Sequence, residues 1–347
     1  YDGGRTALLV APGCSALDEA AADPEGARLA KLSGPLLSSG TPDPPQPDRT
    51  PSSATTARVR TLLLMASPFV EVVIDTPTGE RTIKVTNPER TYFSGLPEGR
   101  GRKIDLVEYY LAVGDGIVRA LRERPTVLKR HPEGADGEAI YTKRIPKGAP
   151  PWVETVTVQF PSGRSATELC PVDVAHVAYA VQMSTLDFHP WPSRRDDVES
   201  PDELRIDLDP MPGTDWDDVI EVALEVRALF DELGFVSYPK TSGSKGVHVY
   251  VRCKTGYTFT EVRHCAVAVA REIERRRPEI ATAKWWKEER GERVFPDFTR
   301  MARDQTTAPG SSVPARPQAP VTAPATRAAL PAAGAAASAT RHGRGRS

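Results

Sequence analysis

The chain has 347 residues, enough for one large domain or two small ones, and its 45 lysines and arginines nearly balance its 46 acidic residues. The net charge of -1 therefore indicates no particular class of partner. Four scattered cysteines without a CxxC pair exclude a disulfide-dense secreted domain and favour a reducing compartment. No stretch has the length of a membrane span or the pattern of a signal peptide, so we expect a soluble, cytoplasmic protein, associated with the nucleoid if it acts on DNA.

Both ends of the chain have compositions that disfavour folding. Residues 1–64 are rich in Pro, Ala, Ser, Gly and Asp, and we expect them to be disordered. Met65 precedes the first predicted strand, "VEVVID", and is a candidate for the native start. From Val313 the chain becomes rich in Pro and Ala, so residues 313–347 are predicted to form a disordered tail. The foldable body is therefore predicted to be one domain over residues 65–312.

The second half of this body has a clear order of elements. The strand "LRIDLD" precedes a helix, "DWDDVIEVALEVRALFDELG", with acids in its first turn, an apolar stripe and Gly234 at its end. Two strands follow, "FVSYP" and "VHVYVRC", joined by the Gly-rich "KTSGSKG". A second helix runs from near Thr260 to Pro278, and "RVFPDF" is the last strand. The order β-α-β-β-α-β is that of ferredoxin-like units, so we predict an α+β fold with such a core and an N-terminal α/β extension.

The first strand of this core carries two acids one residue apart. In an extended chain Asp207 and Asp209 share one face with Arg205, and the intervening leucines and isoleucine share the other. Two neighbouring carboxylates repel each other unless a cation lies between them, and a divalent metal is the usual one. A solvated sheet face is the alternative, and this pair of acids alone does not decide between the two.

The strand order brings further side chains to the same face, which we expect to be open. In the usual ferredoxin-like sheet the first strand lies between the third and the fourth, so His248 and Asp297 come within reach of the two acids. Three carboxylates on adjacent strands predict a two-metal site, whose typical chemistry is phosphoryl transfer. The loop "KTSGSKG" supplies lysines, serines and accessible backbone NH groups for phosphates, among them Ser242 and Lys245.

Four segments, in this order and spacing, carry a resemblance to a known family: "HPWPSR", "LRIDLDP", "PKTSGSKGVHVYV" and "WWKEERGERVFPDF". They resemble the polymerase domain of bacterial ligase D and its stand-alone relatives, in the archaeo-eukaryotic primase superfamily, and the resemblance extends from about residue 82 to residue 313. It implies a primase-polymerase fold and a template-directed nucleotidyltransferase that fills and extends DNA ends in non-homologous end joining. It also implies two Mn²⁺ or Mg²⁺ ions and nucleoside triphosphates, often ribonucleotides. The implied partners are DNA ends with a 5′-phosphate, a separate ligase and a Ku-type end-binding protein.

The resemblance also assigns roles to residues by position. The implied catalytic residues and metal ligands are Asp207, Asp209 and Asp297. The implied nucleotide-binding residues are His189, Ser242, His248 and Arg290, to which the glycine loop adds Lys245. The implied DNA-binding residues are Arg90 and Lys103 for the 5′-phosphate and Tyr141 for the template base. Without the resemblance, His189 would be read as a packed loop residue and Arg290 as a surface charge.

The chain departs from the family pattern at three places. Arg90 stands where the family has lysine, and Ile140 replaces one of two stacking aromatics. After Asp297, family members continue with a polar, amide-bearing run, whereas this chain has Thr299, Arg300 and Met301. This last change motivates an alternative function, a catalytically weak module that holds DNA ends for a separate ligase. A metal-dependent nuclease is a third reading, but it leaves the phosphate-type loop unexplained.

Overall fold

The computed structural model describes residues 69–160 and 162–325. The segment 1–64, the candidate start at Met65 and residues 326–347 lie outside this part of the chain. The elements before residue 202 are, in chain order, β1 (Phe69–Thr76), β2 (Gly79–Thr86), α1 (Lys103–Ala112), α2 (Gly114–Leu121), β3 (Thr126–Arg130), β4 (Ile140–Thr142), β5 (Thr155–Gln159), β6 (Ser165–Leu169), α3 (Val174–Gln182), β7 (Thr185–Pro190), β8 (Ser193–Arg194) and β9 (Asp197–Pro201). The elements that follow are β10 (Glu203–Pro210), α4 (Trp216–Glu232), β11 (Ser237–Thr241), β12 (Val247–Arg252), α5 (Phe259–Arg276) and β13 (Val294–Asp297).

The N-terminal half combines a hairpin, a sheet and helices. Strands β1 and β2 pair with each other, and the larger sheet has the order β4-β3-β6-β5, with β7 also on β3. Helix α3 packs against α1, the hairpin and β7, and its buried residues join those of the hairpin in one apolar core. Among the helices of the described residues, none is long and apolar enough to cross a membrane.

The C-terminal half is an antiparallel sheet with two helices on one face. The strand order is β11-β12-β10-β13, so the first strand of the unit lies between the third and the fourth. Helices α4 and α5 both pack against β10, whose Leu204, Ile206 and Leu208 are fully buried beneath them. Each helix begins with a capping box, formed by Asp215 with Asp218 in α4 and by Thr258 with Glu261 in α5.

The opposite face of β10 is largely buried too, whereas the sequence predicted an open face. The Arg205 side chain is 2% exposed and donates hydrogen bonds to the carbonyl oxygens of Pro190 and Trp191 at 2.7 and 3.1 Å. It also pairs with Glu203 at 2.8 Å. The end of β7 and the residues after it therefore cover this part of the sheet. Alternation along a strand cannot distinguish a solvated polar face from one that is covered and internally paired.

The folded domain extends beyond the predicted boundary at residue 312. Residues 311–325, which we call the C-terminal strap, pack on the domain, and residues 323–325 pair with the outer edge of β11. The NH of Thr241 donates to the Ala323 carbonyl, and the NH of Ala325 donates to the Pro239 carbonyl, both at 2.9 Å. Val313 is 3% exposed and belongs to the N-terminal core. Composition misplaced the boundary because backbone pairing to a sheet edge requires few apolar side chains.

Candidate active site

The antiparallel register of the C-terminal sheet brings the predicted carboxylates together. On β10, Asp207 lies directly opposite His248 of β12 on one side and Asp297 of β13 on the other. These three side chains are buried, and Asp209 follows two residues later on the same face of β10. The sequence periodicity of β10 and the strand order together create this cluster of acids.

The surroundings of Asp207 and Asp209 shift the pKa values of these two acids in opposite directions. Burial, together with the charges of Asp207 and Asp297, raises the pKa of Asp209 to about 7. Burial alone would also raise the pKa of Asp207, but His248 and Arg300 outweigh it and hold that pKa below its usual value. The cluster therefore carries negative charge that its own neighbours only partly compensate, which is the electrostatic condition for binding a cation.

The carboxylate oxygens of Asp207 and Asp297 all have protein neighbours. Asp207 faces His248 Nε2 through Oδ1 at 3.1 Å and Arg300 Nε through Oδ2 at 3.3 Å. Asp297 accepts hydrogen bonds at Oδ1 from the NH and Oγ1 of Thr299, at 2.8 and 2.6 Å. Its Oδ2 lies 3.2 Å from Arg300 Nε. Arg300 thus bridges two of the predicted metal ligands.

The donor set fits a hard divalent cation, because Mg²⁺ and Mn²⁺ prefer carboxylate oxygen ligands. Within residues 69–160 and 162–325, however, no three His, Cys, Asp or Glu side chains converge closely enough to hold an ion as they stand. Arg300 lies between Asp207 and Asp297, so a bound cation would have to compete with this arginine for the two carboxylates.

A cavity of about 320 Å³ connects the acids with the glycine loop. Its lining residues are Asp207, Asp209, Pro210, Ser242, Ser244, Lys245, Gly246 and His248. Ser242 Oγ accepts hydrogen bonds from the backbone NH of Ser244 and Gly246 at 3.2 and 3.0 Å. A Cβ on Gly246 would lie 2.6 Å from the Leu208 carbonyl oxygen, so only glycine permits this approach to β10. Ser242, Lys245 and His248 thus share one cavity.

A second cavity, of about 410 Å³, lies on the other side of Asp209. Its lining residues are Asp209, Trp285, Trp286, Lys287, Glu288, Arg290, Phe295, Asp297, Thr299 and Arg300. Arg290 donates to the carbonyl oxygens of Lys284 and Trp285, at 3.1 and 2.8 Å, and its guanidinium lies 3.5 Å from the centre of the Phe295 ring. Arg290 is therefore separated from Ser242 and Lys245, and Asp209 and the acids lie between the two cavities.

His189 and Tyr141 lie beside each other in the N-terminal sheet, and neither lines these two cavities. Their ring centres are 6.2 Å apart, and Tyr141 is 59% exposed. His189 Nε2 lies 3.0 Å from Asp187 Oδ2, and the other oxygen of Asp187 accepts a hydrogen bond from Ser312 Oγ of the strap. Asp187 thus fixes the orientation of the His189 ring.

Arg90 and Lys103 are also neighbours, because the Lys103 NH donates to the Arg90 carbonyl at 2.8 Å. Arg90 is accessible and pairs with Glu133 at 2.7 Å. Lys103 is 4% exposed, and its ammonium donates to the Thr86 carbonyl at 3.0 Å. Burial, together with the positive charges of Arg90 and Arg130, lowers the pKa of Lys103 to about 8. Contact with a phosphate would therefore require the ammonium of Lys103 to turn outward.

Lys240, one of the loop lysines predicted to bind phosphates, is 4% exposed, and burial lowers its pKa to about 7. Sequence reasoning assigned no role to two other residues of the site. Trp286 is 63% exposed beside the acids, although it lies in a segment already quoted for the resemblance. Arg300 was noted only as a departure from the family pattern. The spacing in the sequence could have revealed this contact. Arg300 follows Asp297 by three residues, in the 3₁₀ helix Phe298–Met301, and residues three apart lie on the same side of such a helix.

Sequence comparisons give the relatives of this chain. A family model described as LigD, primase-polymerase domain, matches residues 102–343. The multifunctional non-homologous end joining protein LigD of Pseudomonas aeruginosa is 31% identical over 248 residues, which are 72% of this chain and 29% of that protein. The protein of the same description from Mycolicibacterium smegmatis is 31% identical over 246 residues, 70% of this chain and 32% of that protein. The chain therefore spans less than a third of the length of these two relatives.

Structural comparison agrees with the sequence matches. The solved polymerase domain from Mycobacterium tuberculosis ligase D in complex with DNA matches with a TM-score of 0.67 and 29% identity, over 72% of this chain and 88% of that chain. The mixed α+β architecture is thus shared with that domain. The resemblance that the four sequence segments carried is confirmed, and the chain belongs to the family of LigD primase-polymerase domains.

Proposed function

We propose that this chain is a metal-dependent nucleotidyltransferase that extends and fills DNA ends during non-homologous end joining, copying a template strand. The observation that carries the proposal is the pairing of Asp207 with Asp297 across β10 and β13, beside a cationic glycine loop. Three acids on adjacent strands suit the transfer of a nucleotidyl group from a triphosphate to a hydroxyl. The proposal includes a primase-polymerase fold built on the ferredoxin-like unit.

The two cavities on either side of Asp209 suit the two substrates of such a reaction. The glycine-loop cavity offers Ser242, Lys245 and backbone NH groups, which bind phosphate oxygens. The second cavity offers the exposed Trp286 ring, on which a terminal base of the extended strand can stack. The triphosphate and the 3′ end of the strand would then meet at the acids.

The proposed cofactors are two Mn²⁺ or Mg²⁺ ions, held by Asp207, Asp209 and Asp297. When bound, such ions lower the pKa of the attacking hydroxyl and stabilise the leaving pyrophosphate. Thr299 fixes the orientation of Asp297 through its two hydrogen bonds. His248 lies between Asp207 and the loop and is placed to donate to a phosphate oxygen, and Arg290 offers a further cation on the second cavity.

The proposed DNA contacts lie in the N-terminal half. Arg90, Lys103 and Arg130 form a cluster of three cations, in which an anion such as the 5′-phosphate of a DNA end would relieve repulsion. Tyr141 would stack on the template base, next to His189 at the incoming nucleotide. We propose DNA ends and nucleoside triphosphates, ribonucleotides included, as substrates. A separate ligase and a Ku-type protein, in the cytoplasm at the nucleoid, are the proposed partners.

A second candidate function is a catalytically weak module that holds DNA ends for a separate ligase. One observation favours it: Arg300 bridges Asp207 and Asp297 and so lies against carboxylate oxygens that a metal ion would need as ligands. Against it stands the cluster of three acids itself, which a module that only binds DNA does not require, because acids repel the phosphate backbone.

Substitution of single acids separates the two functions. We expect Asp207→Ala and Asp209→Ala to reduce nucleotide addition by about a thousandfold, equivalent to about 4 kcal/mol of barrier. The measurement is extension of a labelled primer with Mn²⁺, and electrophoretic mobility shift gives the DNA affinity, which should stay within a few-fold of wild type. Asp196→Ala, which removes an exposed acid outside both cavities, is the control. Near-normal extension by either site variant would remove the acids from the mechanism, and an inactive wild type would favour the binding module.

A further inference from the structure

Arg300 occupies a defined place among the acids of the site. Its Nε atom lies 3.3 Å from Asp207 Oδ2 and 3.2 Å from Asp297 Oδ2, between two residues that face each other across adjacent strands. Among the described arginines and lysines, the ion pairs within 4 Å of these two carboxylates come from Arg300 alone. The guanidinium is thus the arginine or lysine group in direct contact with both carboxylates.

The other oxygens of the two acids differ in their contacts. Asp297 Oδ1 accepts two hydrogen bonds from Thr299, whereas Asp207 Oδ1 lies 3.1 Å from His248 Nε2 but is buried without a hydrogen bond of good geometry. The two Oδ2 atoms both lie against Arg300. Asp207 and Asp297 would hold a divalent ion against the repulsion of the guanidinium, which already contacts both carboxylates.

Electrostatic attraction to the two carboxylates holds the Arg300 guanidinium in place more than hydrogen bonds from its Nε atom do. Its Nε atom is buried and makes no hydrogen bond of good geometry to either carboxylate. The Arg300 side chain is nevertheless 37% exposed and lines the second cavity with Trp285 and Trp286. It can therefore leave the two oxygens by rotating into a cavity of about 410 Å³, without disturbing the core.

We propose that Arg300 is a built-in counter-ion that competes with divalent metal for Asp207 and Asp297, so that metal binding requires its displacement and is weakened by its presence. The inference rests on the proposed function, since it takes these acids as metal ligands. It gives Arg300 a positioning role: the arginine keeps the two carboxylates together while no ion holds them, and its displacement sets the concentration of metal at which the site forms.

Binding of Mn²⁺ to the full chain, stripped of divalent ions with EDTA and dialysed, tests the proposal without any enzymatic assay. The signal of free Mn²⁺ in electron paramagnetic resonance gives the affinity. We expect Arg300→Gln to bind Mn²⁺ about 5- to 10-fold more tightly than wild type, because one competing ion pair is removed. Arg300→Lys keeps the charge and should remain near the wild-type affinity.

Arg303→Gln is the matched control. Arg303 lies one turn further along the chain but pairs with Glu199 and lies over the Trp191 ring, away from the acids. Its Mn²⁺ affinity should equal that of wild type. Asp207→Asn should lose the binding that Arg300→Gln strengthens, which assigns the measured ion to this site.

Melting temperature provides a second readout. Without divalent ions, Arg300→Gln should melt at a lower temperature than wild type, because the repulsion between Asp207 and Asp297 then loses its compensation by the guanidinium. Added Mn²⁺ should raise its melting temperature by more than it raises that of wild type. Circular dichroism establishes that each variant is folded before either comparison.

Two results would overturn the inference, and they are distinguishable. If wild type binds Mn²⁺ at Asp207 and folded Arg300→Gln binds it equally or more weakly, Arg300 does not compete, and the proposed function stands. If neither wild type nor Arg300→Gln binds Mn²⁺ measurably, the acids are not a metal site, and the proposed function falls together with the inference.

Discussion

Single atoms decide what the acids of this site can bind. Asp207 and Asp209 lie two residues apart on the same face of β10. The pKa of Asp207, beside His248, is nevertheless below its usual value, whereas the pKa of Asp209 is about 7. The difference arises because His248 and Arg300 stabilise the charged form of Asp207. For Asp209, burial and the negative charges of Asp207 and Asp297 dominate and favour the neutral form. Residue type alone therefore does not define the charge of the site at neutral pH.

The pKa of Lys103 gives a pH-dependent prediction at the residue scale. In the protein without DNA, this lysine loses its proton near pH 8, and a bound phosphate would favour the charged ammonium and raise that pKa. Above pH 8, Lys103 must therefore take up a proton when the phosphate binds, and this becomes more costly as the pH rises. The preference for a 5′-phosphorylated end should fall as the pH rises from about 7 to about 9.5. Fluorescence anisotropy on matched phosphorylated and unphosphorylated ends measures this preference.

Lys103→Arg is the control for this prediction, because its guanidinium stays charged across the range. Its preference for the phosphorylated end should be independent of pH between 7 and 9.5. A wild-type preference that is equally constant would show that Lys103 makes no contact with the phosphate.

At the scale of elements, the C-terminal strap connects the two halves of the domain. It pairs with the edge of β11, inserts Val313 into the N-terminal core and places Arg316 Nη2 2.6 Å from Ser244 Oγ of the glycine loop. A Cβ on Gly243 would lie 2.8 Å from Pro314, so loop and strap are in close contact. A segment of low sequence complexity thus supports both the fold and the glycine loop.

Truncation tests this role of the strap. A chain that ends at Gly310 loses the buried Val313 and several hydrogen bonds, together about 5 kcal/mol of stability. For a domain of this size the melting temperature should fall by about 10 °C or more, measured by differential scanning calorimetry. A chain that ends at Ala325 retains the strap and should melt close to the full-length protein. Equal melting temperatures for all three would mean that the strap contributes no net stability.

On the scale of the whole molecule, the proposed chemistry and the proposed recognition of DNA ends belong to different halves. The acids and the glycine loop lie on the C-terminal sheet. In the N-terminal half, Arg90 lies before α1 and Lys103 is the first residue of α1. Substitutions in one half should therefore leave the function of the other largely intact, because sites without shared partners behave additively.

Arg90→Ala tests this separation. It should reduce the preference for a 5′-phosphorylated end by about tenfold, through the loss of a charge-assisted hydrogen bond. Extension of an unphosphorylated end should remain within twofold of wild type in the same primer-extension assay. Arg81→Ala, which removes an arginine on β2 that donates to Thr78, is a control for general loss of positive charge. An equal decrease on both ends would identify Arg90 as an ordinary backbone contact.

The amino-acid sequence by itself determined the elements of the C-terminal half. The alternation in "LRIDLD", the capped amphipathic pattern of α4 and the glycines of "KTSGSKG" are local signals, and they predicted the order from β10 to β13 within a few residues. The pairing of Asp207 with Asp297 followed from that order through the usual strand arrangement, and the family followed from the four quoted segments.

The tertiary structure alone decided the remaining features, because each depends on contacts between residues distant in the chain. Burial of the polar face of β10 arises from β7, and the placement of residues 313–325 arises from the N-terminal core around Val313 and the open edge of β11. The inward turn of the Lys103 ammonium depends on the Thr86 carbonyl. The bridge of Arg300 between Asp207 and Asp297 requires the register of β10 against β13, which sets two acids 90 residues apart side by side and leaves their charge for an arginine to compensate.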